Sequence, residues 1–438
     1  MTSPTVGVVV VNYNGGELTL DCLHSIVRSD WPAAELRVVL VDNASTDGVV
    51  ARVRSELPVV GVVELTTNDG FGAGCNAGIR ELGAVDFVAL VNNDATVDPG
   101  WLVPLVDALR ADPHLGAACP KILFAGRFRE VELRSATYRR GLGDDRDLGA
   151  FVAGARVDGI DVWSRVQLVD GTWGLEPETD SSADSGGEWT GPVAHLRIPV
   201  AASISADGGA HAVSLRLSAD GPRAVSLQAG GEAVEDTIGS EPRWVEVPAS
   251  GETIEVVNNV GTELLDDGFA ADRGFLEPDD GRHDTPTDVF AWCGGGVLLR
   301  RAYLDDVGLF DEDLFLYYED LELAWRGAAR GWRYRSVPES IVRHVHAASS
   351  VRGSALKQFY DERNRLIVLA RHGTPMAATN AAARSLLVTA SYARRDVVAP
   401  LLHLQRARPD VVTRRLSAFA AFVRRLPPTI SKRDRTRS

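Results

Sequence analysis

The chain opens with blocks of unbroken apolar character separated by stretches of helical spacing. The run VGVVVVNYN (6–14) is β-branched with no polar alternation, which predicts a strand buried on both faces. LTLDCLHSIVRS then sets Leu18, Cys22, Ile26 and Val27 at helical spacing. LRVVLVDNAS (36–45), VVGVVELTTN (59–68) and DFVALVNND (86–94) predict three more strands, and FGAGCNAGIREL (71–82) opens a further helix. Strands alternating with helices imply a parallel sheet with right-handed crossovers. Such sheets bind ligands beyond the carboxyl ends of their strands. Here those ends carry Asn12-Tyr13-Asn14, Asp42-Asn43, Asn68-Asp69 and Asn92-Asn93-Asp94. One such cluster is ordinary turn chemistry. Four at successive strand ends point to a nucleotide site.

The period changes in the middle of the chain. LRIPV (196–200), HAVSLRLS (211–218), RAVSLQ (223–228), RWVEVPA (243–249) and ETIEVVN (252–258) alternate apolar and polar residues. Gly, Asp and Pro turns separate them at β-sandwich spacing, predicting an all-β module over residues 155–258 inserted into the α/β body. Trp163, Trp173, Trp189 and Trp244 are candidate platforms for stacking a sugar, although each taken singly reads better as core. The α/β pattern resumes with VFAWCGGGVLLRRAYLDDVG (289–308) and continues through residues 310–350.

Composition narrows the class. A chain of 438 residues has room for two or three domains, and 45% hydrophobic with 24% charged residues is an ordinary globular balance. Its apolar stretches fall well short of the roughly 18 residues of a spanning helix. The first residues lack a basic n-region and cleavage site, so no secretion signal is expected. Cys22, Cys75, Cys119 and Cys293 stand far apart without a CxxC pair, which argues for a reducing cytosol and against a cysteine zinc site. A net charge of −14 argues against a nucleic-acid partner.

That charge is unevenly spread. Gly141–Thr285 holds 9 basic and 28 acidic residues, whereas Met376–Ser438 holds 13 basic and 3 acidic. Boundaries are expected near both changes. In the basic tail, Val412, Leu416, Phe419, Val423 and Leu426 form one helical stripe, with Arg414, Arg415, Arg424 and Arg425 outside it. That is the form of an interfacial helix drawn to anionic lipid. The alternative is a helix docked on the acidic remainder of the chain or on a second subunit.

The ordered set VVVVNYN, LVDNASTDG, NDGFGAGCNAG, VNNDATVDPGWL, WCGGGVLLRR, YYEDLELAWRGAARGW, RHVHAASS and FYDERNRLIVLAR resembles the family 2 inverting glycosyltransferases of GT-A type. It is similar in particular to the bacterial branch of rhamnosyltransferases and galactofuranosyltransferases. The blocks fall within 1–124 and 259–372, leaving the β insertion and the tail (373–438) outside the resemblance. The resemblance implies a GT-A nucleotide-diphospho-sugar transferase fold, a mostly parallel sheet flanked by helices. It implies Asp320 as the base that takes the acceptor's proton, with Glu319 beside it positioning acceptor or base. A carboxylate at a helix start is favoured by the dipole and is expected to stay ionised.

The leaving diphosphate needs a divalent cation held by hard oxygen ligands. The family's acidic motif reads Asn92-Asn93-Asp94 here, so only Asp94 keeps its acid. His344, or alternatively His346, would complete the sphere, and an imidazole suits Mn²⁺ better than Mg²⁺. For the donor, Asp42 is expected to meet base or ribose, and the backbone at Val11 and Asn12 to edge the base. Asn68, Gly70, Gly72 and Asn76 turn into a helix whose first amides would face the donor. Gly294, Gly295 and Gly296 would admit donor or acceptor closely, and Trp292 would stack on a sugar ring.

The implied partners are a nucleotide-diphosphate sugar, with thymidine-diphosphate rhamnose the first candidate, and a glycan or lipid-linked acceptor. The implied place is the cytoplasm, with the tail at the inner face of the membrane. Two other readings stay open. A nucleotidyltransferase would want a basic glycine-rich loop, and VVNYNGGELTL has no basic residue. A catalytically decayed glycan-binding scaffold would account for the Asn-Asn-Asp motif and the sandwich.

Overall fold

The computed structural model describes residues 3–139, 145–176, 186–201, 212–248, 251–265, 269–345, 354–402, 404 and 406–435. The expected alternation is present: β1 (Val6–Asn12), α1 (Gly16–Val27), β2 (Leu36–Asp42), α2 (Val49–Glu56), β3 (Gly61–Glu64), α3 (Phe71–Leu82) and β4 (Phe87–Asn92). Every residue of β1 is buried, as its apolar run requires. β1 lies parallel between β2 and β4, and β3 lies outside β2. α3 rests on this layer at a distance only glycine permits. A Cβ at Gly78 would fall 2.4 Å from a Val9 methyl.

Beyond β4 the sheet becomes mixed. After β5 (Ala95–Val97) and α4 (Leu102–Ala111) comes β6 (Leu115–Phe124). Gly296–Arg300 runs antiparallel between β4 and β6, and Arg333–His344 runs parallel to β6 on its far side. The completed sheet has ten strands. One apolar layer gathers Leu23, Ile26, Trp101 and Leu105 on one side. The other gathers Val9, Ile79, Trp292, Tyr303 and Leu323.

A second ten-stranded sheet leaves and re-enters the first between β6 and the strand Val257–Asn259, which pairs with β6. It starts earlier than the alternation suggests: Arg127–Ser135 and Phe151–Val157 belong to it, ahead of the expected 155. All its strand pairs are antiparallel, in one continuous hydrogen-bonded path from Glu232–Ile238 to Arg243–Val247. It is a curled, continuously hydrogen-bonded sheet around Val131, Leu133, Leu196, Leu215, Leu227 and Val245, in which Gly187–Ala201 pairs with Phe151–Val157 through its first half and with Arg127–Ser135 through its second.

Of the four tryptophans, Trp163 and Trp189 are buried, the latter against Phe151 at 5.1 Å. Those two belong to the packing and are corrected as platforms. Trp244 carries the Arg156 guanidinium at 4.2 Å, and exposed Trp173 donates to the Asp147 carbonyl at 3.1 Å.

The C-terminal part adds α5 (Arg301–Val307), α6 (Glu319–Ala328), α7 (Ala355–His372) and α8 (Pro375–Ala393). Thr374 caps α8 and Pro375 takes its first turn. The helical run continues through a π turn at Arg394–Val398 into α9 (Ala399–Leu402), and α10 (Asp410–Arg435) follows. The stripe expected to face lipid is divided in α10. Phe419 and Leu426, with Phe422, pack into the core beside α7, while Leu416 and Val423 remain half exposed. Lys432 pairs with Asp311 at 2.9 Å, Arg425 with Asp313 at 2.6 Å, and Arg415 with Glu362. Docking on acidic neighbours thus accounts for the Phe419–Phe422–Leu426 side and for the charges of Arg415, Arg425 and Lys432. Among the described residues no helix is long and apolar enough to cross a membrane.

Candidate active site

The mixed sheet, α6, α7 and α8 enclose a cavity of about 660 Å³. Asp320 lies in its wall, one residue into α6. Its Oδ2 accepts from the Gly294 amide at 3.0 Å and its Oδ1 from the Leu321 amide at 2.7 Å. Burial raises the Asp320 carboxyl above its ordinary value, and the amides of Gly294 and Leu321 partly oppose that rise. Burial thus opposes the ionised form that the helix start was expected to favour. Glu319 is 5% exposed, and its carboxyl is pushed well above its ordinary value by burial and then by the charge of Asp320. The lower face of α6 is anchored differently. Although burial works against it, Arg326, with His372 and Arg371, holds the Glu322 carboxyl well below its usual range.

The turn entering α6 is strained. Phe315, Tyr317 and Tyr318 have φ of 65°, 65° and 70°, a region that costs non-glycine residues of order 1–3 kcal/mol each. Fully buried Asn364 of α7 offsets that strain. Its Nδ2 donates to the carbonyls of Leu314, Leu316 and Tyr317 at 2.9, 2.9 and 2.7 Å. The sequence blocks include Asn364, but nothing in local spacing marks it as the residue that shapes this turn.

Asp94 and His344 meet across the antiparallel pairing of β5 with Val342–His344. His344 Nε2 lies 2.9 Å from Asp94 Oδ1 and 3.3 Å from Asn92 Nδ2, and its Nδ1 lies 3.0 Å from Asn258 Oδ1. With Nδ1–H donating to Asn258, a neutral ring turns its Nε2 lone pair toward a carboxylate oxygen. A proton or a cation between those two acceptors resolves that contact. The donor set therefore fits a divalent ion of the hard-to-borderline class. Among the described residues, however, no three His, Cys, Asp or Glu side chains converge on one point. His346 lies outside the described residues.

The strand-end polar residues form two linked hubs. Asn12 donates to Asp42 at 3.0 Å and to Ser45 at 2.9 Å, while its Oδ1 accepts from Thr19 at 2.8 Å and Asn93 at 2.9 Å. Asn68 Oδ1 accepts from Asn43 at 2.9 Å and from the Gly70 amide at 3.1 Å. Several expectations change as a result. Val11 is paired in both flanking ladders, opposite Val41 and Asn92. Asn76 exchanges two hydrogen bonds of 3.0 Å with the Phe310 backbone and clamps that loop instead of facing a donor.

The first amide of α3 is taken by the Phe315 carbonyl at 2.8 Å. A Cβ at Gly70 would overlap that oxygen at 2.2 Å, and one at Gly72 would crowd Phe310 at 3.2 Å. Trp292 is fully buried, edge-on to Phe310 at 5.9 Å, and cannot stack on a sugar. Gly294 and Gly295 do line the cavity, and Gly296 opens the strand behind them. Asn258, Asp272, Lys357, Asp361 and Arg384 also line it; Asp361 falls within the block FYDERNRLIVLAR, and no local spacing marks the other four.

Residues 7–155 match the family model of glycosyl transferase family 2. An N-acetylglucosaminyl-diphospho-decaprenol L-rhamnosyltransferase of Mycobacterium tuberculosis (strain CDC 1551 / Oshkosh) is 36% identical over 126 residues, 26% of this chain and 40% of that protein. An N-acetylglucosaminyltransferase of Bradyrhizobium elkanii is 30% identical over 129 residues, 28% of this chain and 69% of that protein. A solved structure of GalNAc-T7 with UDP, GalNAc and Mn²⁺ superposes with TM-score 0.48 at 13% identity, covering 98% of this chain and 57% of that one. The chain belongs to glycosyl transferase family 2, and its mixed sheet has the GT-A arrangement. It spans 40% of the length of the matched rhamnosyltransferase.

Proposed function

We propose that this chain transfers a sugar from a nucleotide-diphosphate donor to an acceptor hydroxyl, with Asp320 as base. The observation that carries the reading is the Asp320 carboxyl, enclosed at the wall of a substrate-sized cavity and oriented by two backbone amides. A carboxyl raised by burial is a stronger base than an ordinary one when ionised. The acceptor oxygen forms a bond to the anomeric carbon as its proton passes to Asp320. The bond from that carbon to phosphate breaks, and its electron pair leaves with the nucleoside diphosphate. Glu319, held behind Asp320, positions the base.

Asp94 and His344 would hold Mn²⁺ or Mg²⁺, with Asn258 orienting the imidazole. Such a cation, when bound, neutralises charge developing on the diphosphate. The Asn12–Asp42–Asn93 hub holds the strand ends against which the nucleotide lies. The name of the M. tuberculosis relative supports a rhamnosyl donor and a lipid-linked diphosphate acceptor. We therefore favour thymidine-diphosphate rhamnose, a cell-envelope glycan acceptor, and action at the inner face of the membrane through peripheral contact of the C-terminal helices.

A second reading, a glycan-binding scaffold without turnover, is favoured by Asn92 standing where an acid is expected. A panel of nucleotide sugars assayed with Mn²⁺ for release of nucleoside diphosphate separates the two. Release from one donor, abolished by chelator, is expected. Binding without release for every donor overturns the transfer reading.

A further inference from the structure

The helical run Pro375–Leu402 exposes several large apolar side chains on the side that faces away from the protein. Its inner side is ordinary: Ala381, Ser385 and Thr389 are buried. At 100° per residue, Met376, Ala383, Leu387 and Ala390 fall within about 60° of one another on the outer side, and all four are exposed. Met376 and Leu387 are each 72% exposed. Past the π turn, Val398, Leu401, Leu402 and Leu404 continue the exposed apolar character, with Leu401 58% exposed. A single exposed leucine needs no explanation, but a stripe along a helix of roughly 40 Å does. Asn380 and Arg394 share this outer arc, so the exposed apolar area is carried by Met376 and Leu387 and, farther on, by Val398, Leu401 and Leu402.

The charge around the stripe selects the occupant. Beside the stripe stand Arg394, Arg395, Arg406 and Arg408, of which Arg395 pairs with Asp396 at 2.6 Å, on a chain whose net charge is −14. In a two-fold contact with a second copy the same patch meets itself, so these arginines would face one another. An anionic bilayer instead accepts the leucines and neutralises the arginines.

We infer that the outer face of the helix Pro375–Leu402 is the surface on which this protein rests on an anionic lipid bilayer. This moves the lipid contact away from the stripe of α10, whose apolar side is largely used in packing. The same helix contributes Arg384, Ser385 and Val388 to the wall of the Asp320 cavity. A helix lying on the bilayer would hold the cavity beside the headgroup layer, where a lipid-linked acceptor presents its glycan. That consequence rests on the transfer reading; the surface itself does not.

Co-sedimentation of the full chain with vesicles of phosphatidylglycerol and phosphatidylcholine, and of phosphatidylcholine alone, tests the inference. Salt-sensitive binding to the anionic vesicles is expected. Leu387→Glu with Leu401→Glu is expected to weaken it by on the order of 10²-fold, as is Arg394→Glu with Arg406→Glu. Ile160→Glu, at an exposed site on the second sheet, is expected to leave binding unchanged. Equal binding to neutral vesicles, or wild-type binding by the leucine variant, overturns the assignment. So does a wild type that ignores vesicles but forms a dimer that Leu387→Glu dissociates. Nucleotide-sugar hydrolysis measured on the same preparations keeps the two readings apart. Its absence alongside the expected vesicle pattern removes the transfer reading and leaves the surface standing.

Discussion

Both ten-stranded sheets of this chain bury apolar interiors, yet only the first gathers polar side chains at one end. In β1, β2 and β4 packing on both faces excludes polar residues from the strands themselves. Polar groups are left where the parallel strands all stop, and Asn12, Asp42 and Asn93 meet there. The second sheet alternates, as in Val213–Ser218, so its polar side chains are spread along an outer face. Its strands point both ways and share no common end. A polar group on it, His195 with Asp170 at 2.6 Å and Glu132 at 3.4 Å, is a surface ion cluster of small energetic weight. Strand direction, more than composition, decides where chemistry can collect.

The sharpest way to break this comparison is at the base. Asp320→Asn is expected to lower turnover on the order of 10²–10⁴-fold while donor binding persists, measured by steady-state kinetics and calorimetry. Because burial raises the Asp320 carboxyl, the base form should be lost on acidification at a pH above the usual carboxylate range. kcat/KM should therefore rise with pH through that value, and the residual activity of the variant should lack the step. Near-normal turnover by Asp320→Asn would remove the first sheet's claim to the chemistry.

The metal pair comes next. Asp94→Ala and His344→Ala should each weaken Mn²⁺-dependent donor binding, and Asn258→Ala should do so by roughly 10–100-fold through the freed imidazole. Full-rate transfer by chelator-treated enzyme would show that side-chain cations stabilise the diphosphate instead.

The smallest effect on catalysis is expected in the second sheet. Leu227→Ala should cost about 2–5 kcal/mol of stability by thermal melting and leave turnover per folded molecule unchanged. A fall in kcat matching that of Asp320→Asn would tie the curled sheet to the active site.

Local pattern alone determined the four N-terminal strands, the helices between them and the position of polar residues at the strand ends. Those features depend on neighbours a few residues apart, and a period of two or 3.6 records them directly. The order of the motif blocks was equally legible, and through it Asp320, Asp94 and His344 could be named as candidates. Tertiary structure alone decided which of the named residues face a cavity and which are consumed by packing. Asp94 and His344 stand 250 residues apart, and Asn76 and Phe310 234 apart. No periodicity encodes a contact across that separation, so Asn76 read as a ligand residue although it is a clamp. Trp292 read as a sugar platform for the same reason, since a lone tryptophan carries no mark of what lies above it. The arginine-flanked stripe of α10 records that the helix is amphipathic, but not whether lipid or protein covers it. Only the placement of α7 and of Asp311 and Asp313 shows that protein covers its Phe419, Phe422 and Leu426 side. The outward apolar face of α8 became visible only once its inner face had been taken by the fold.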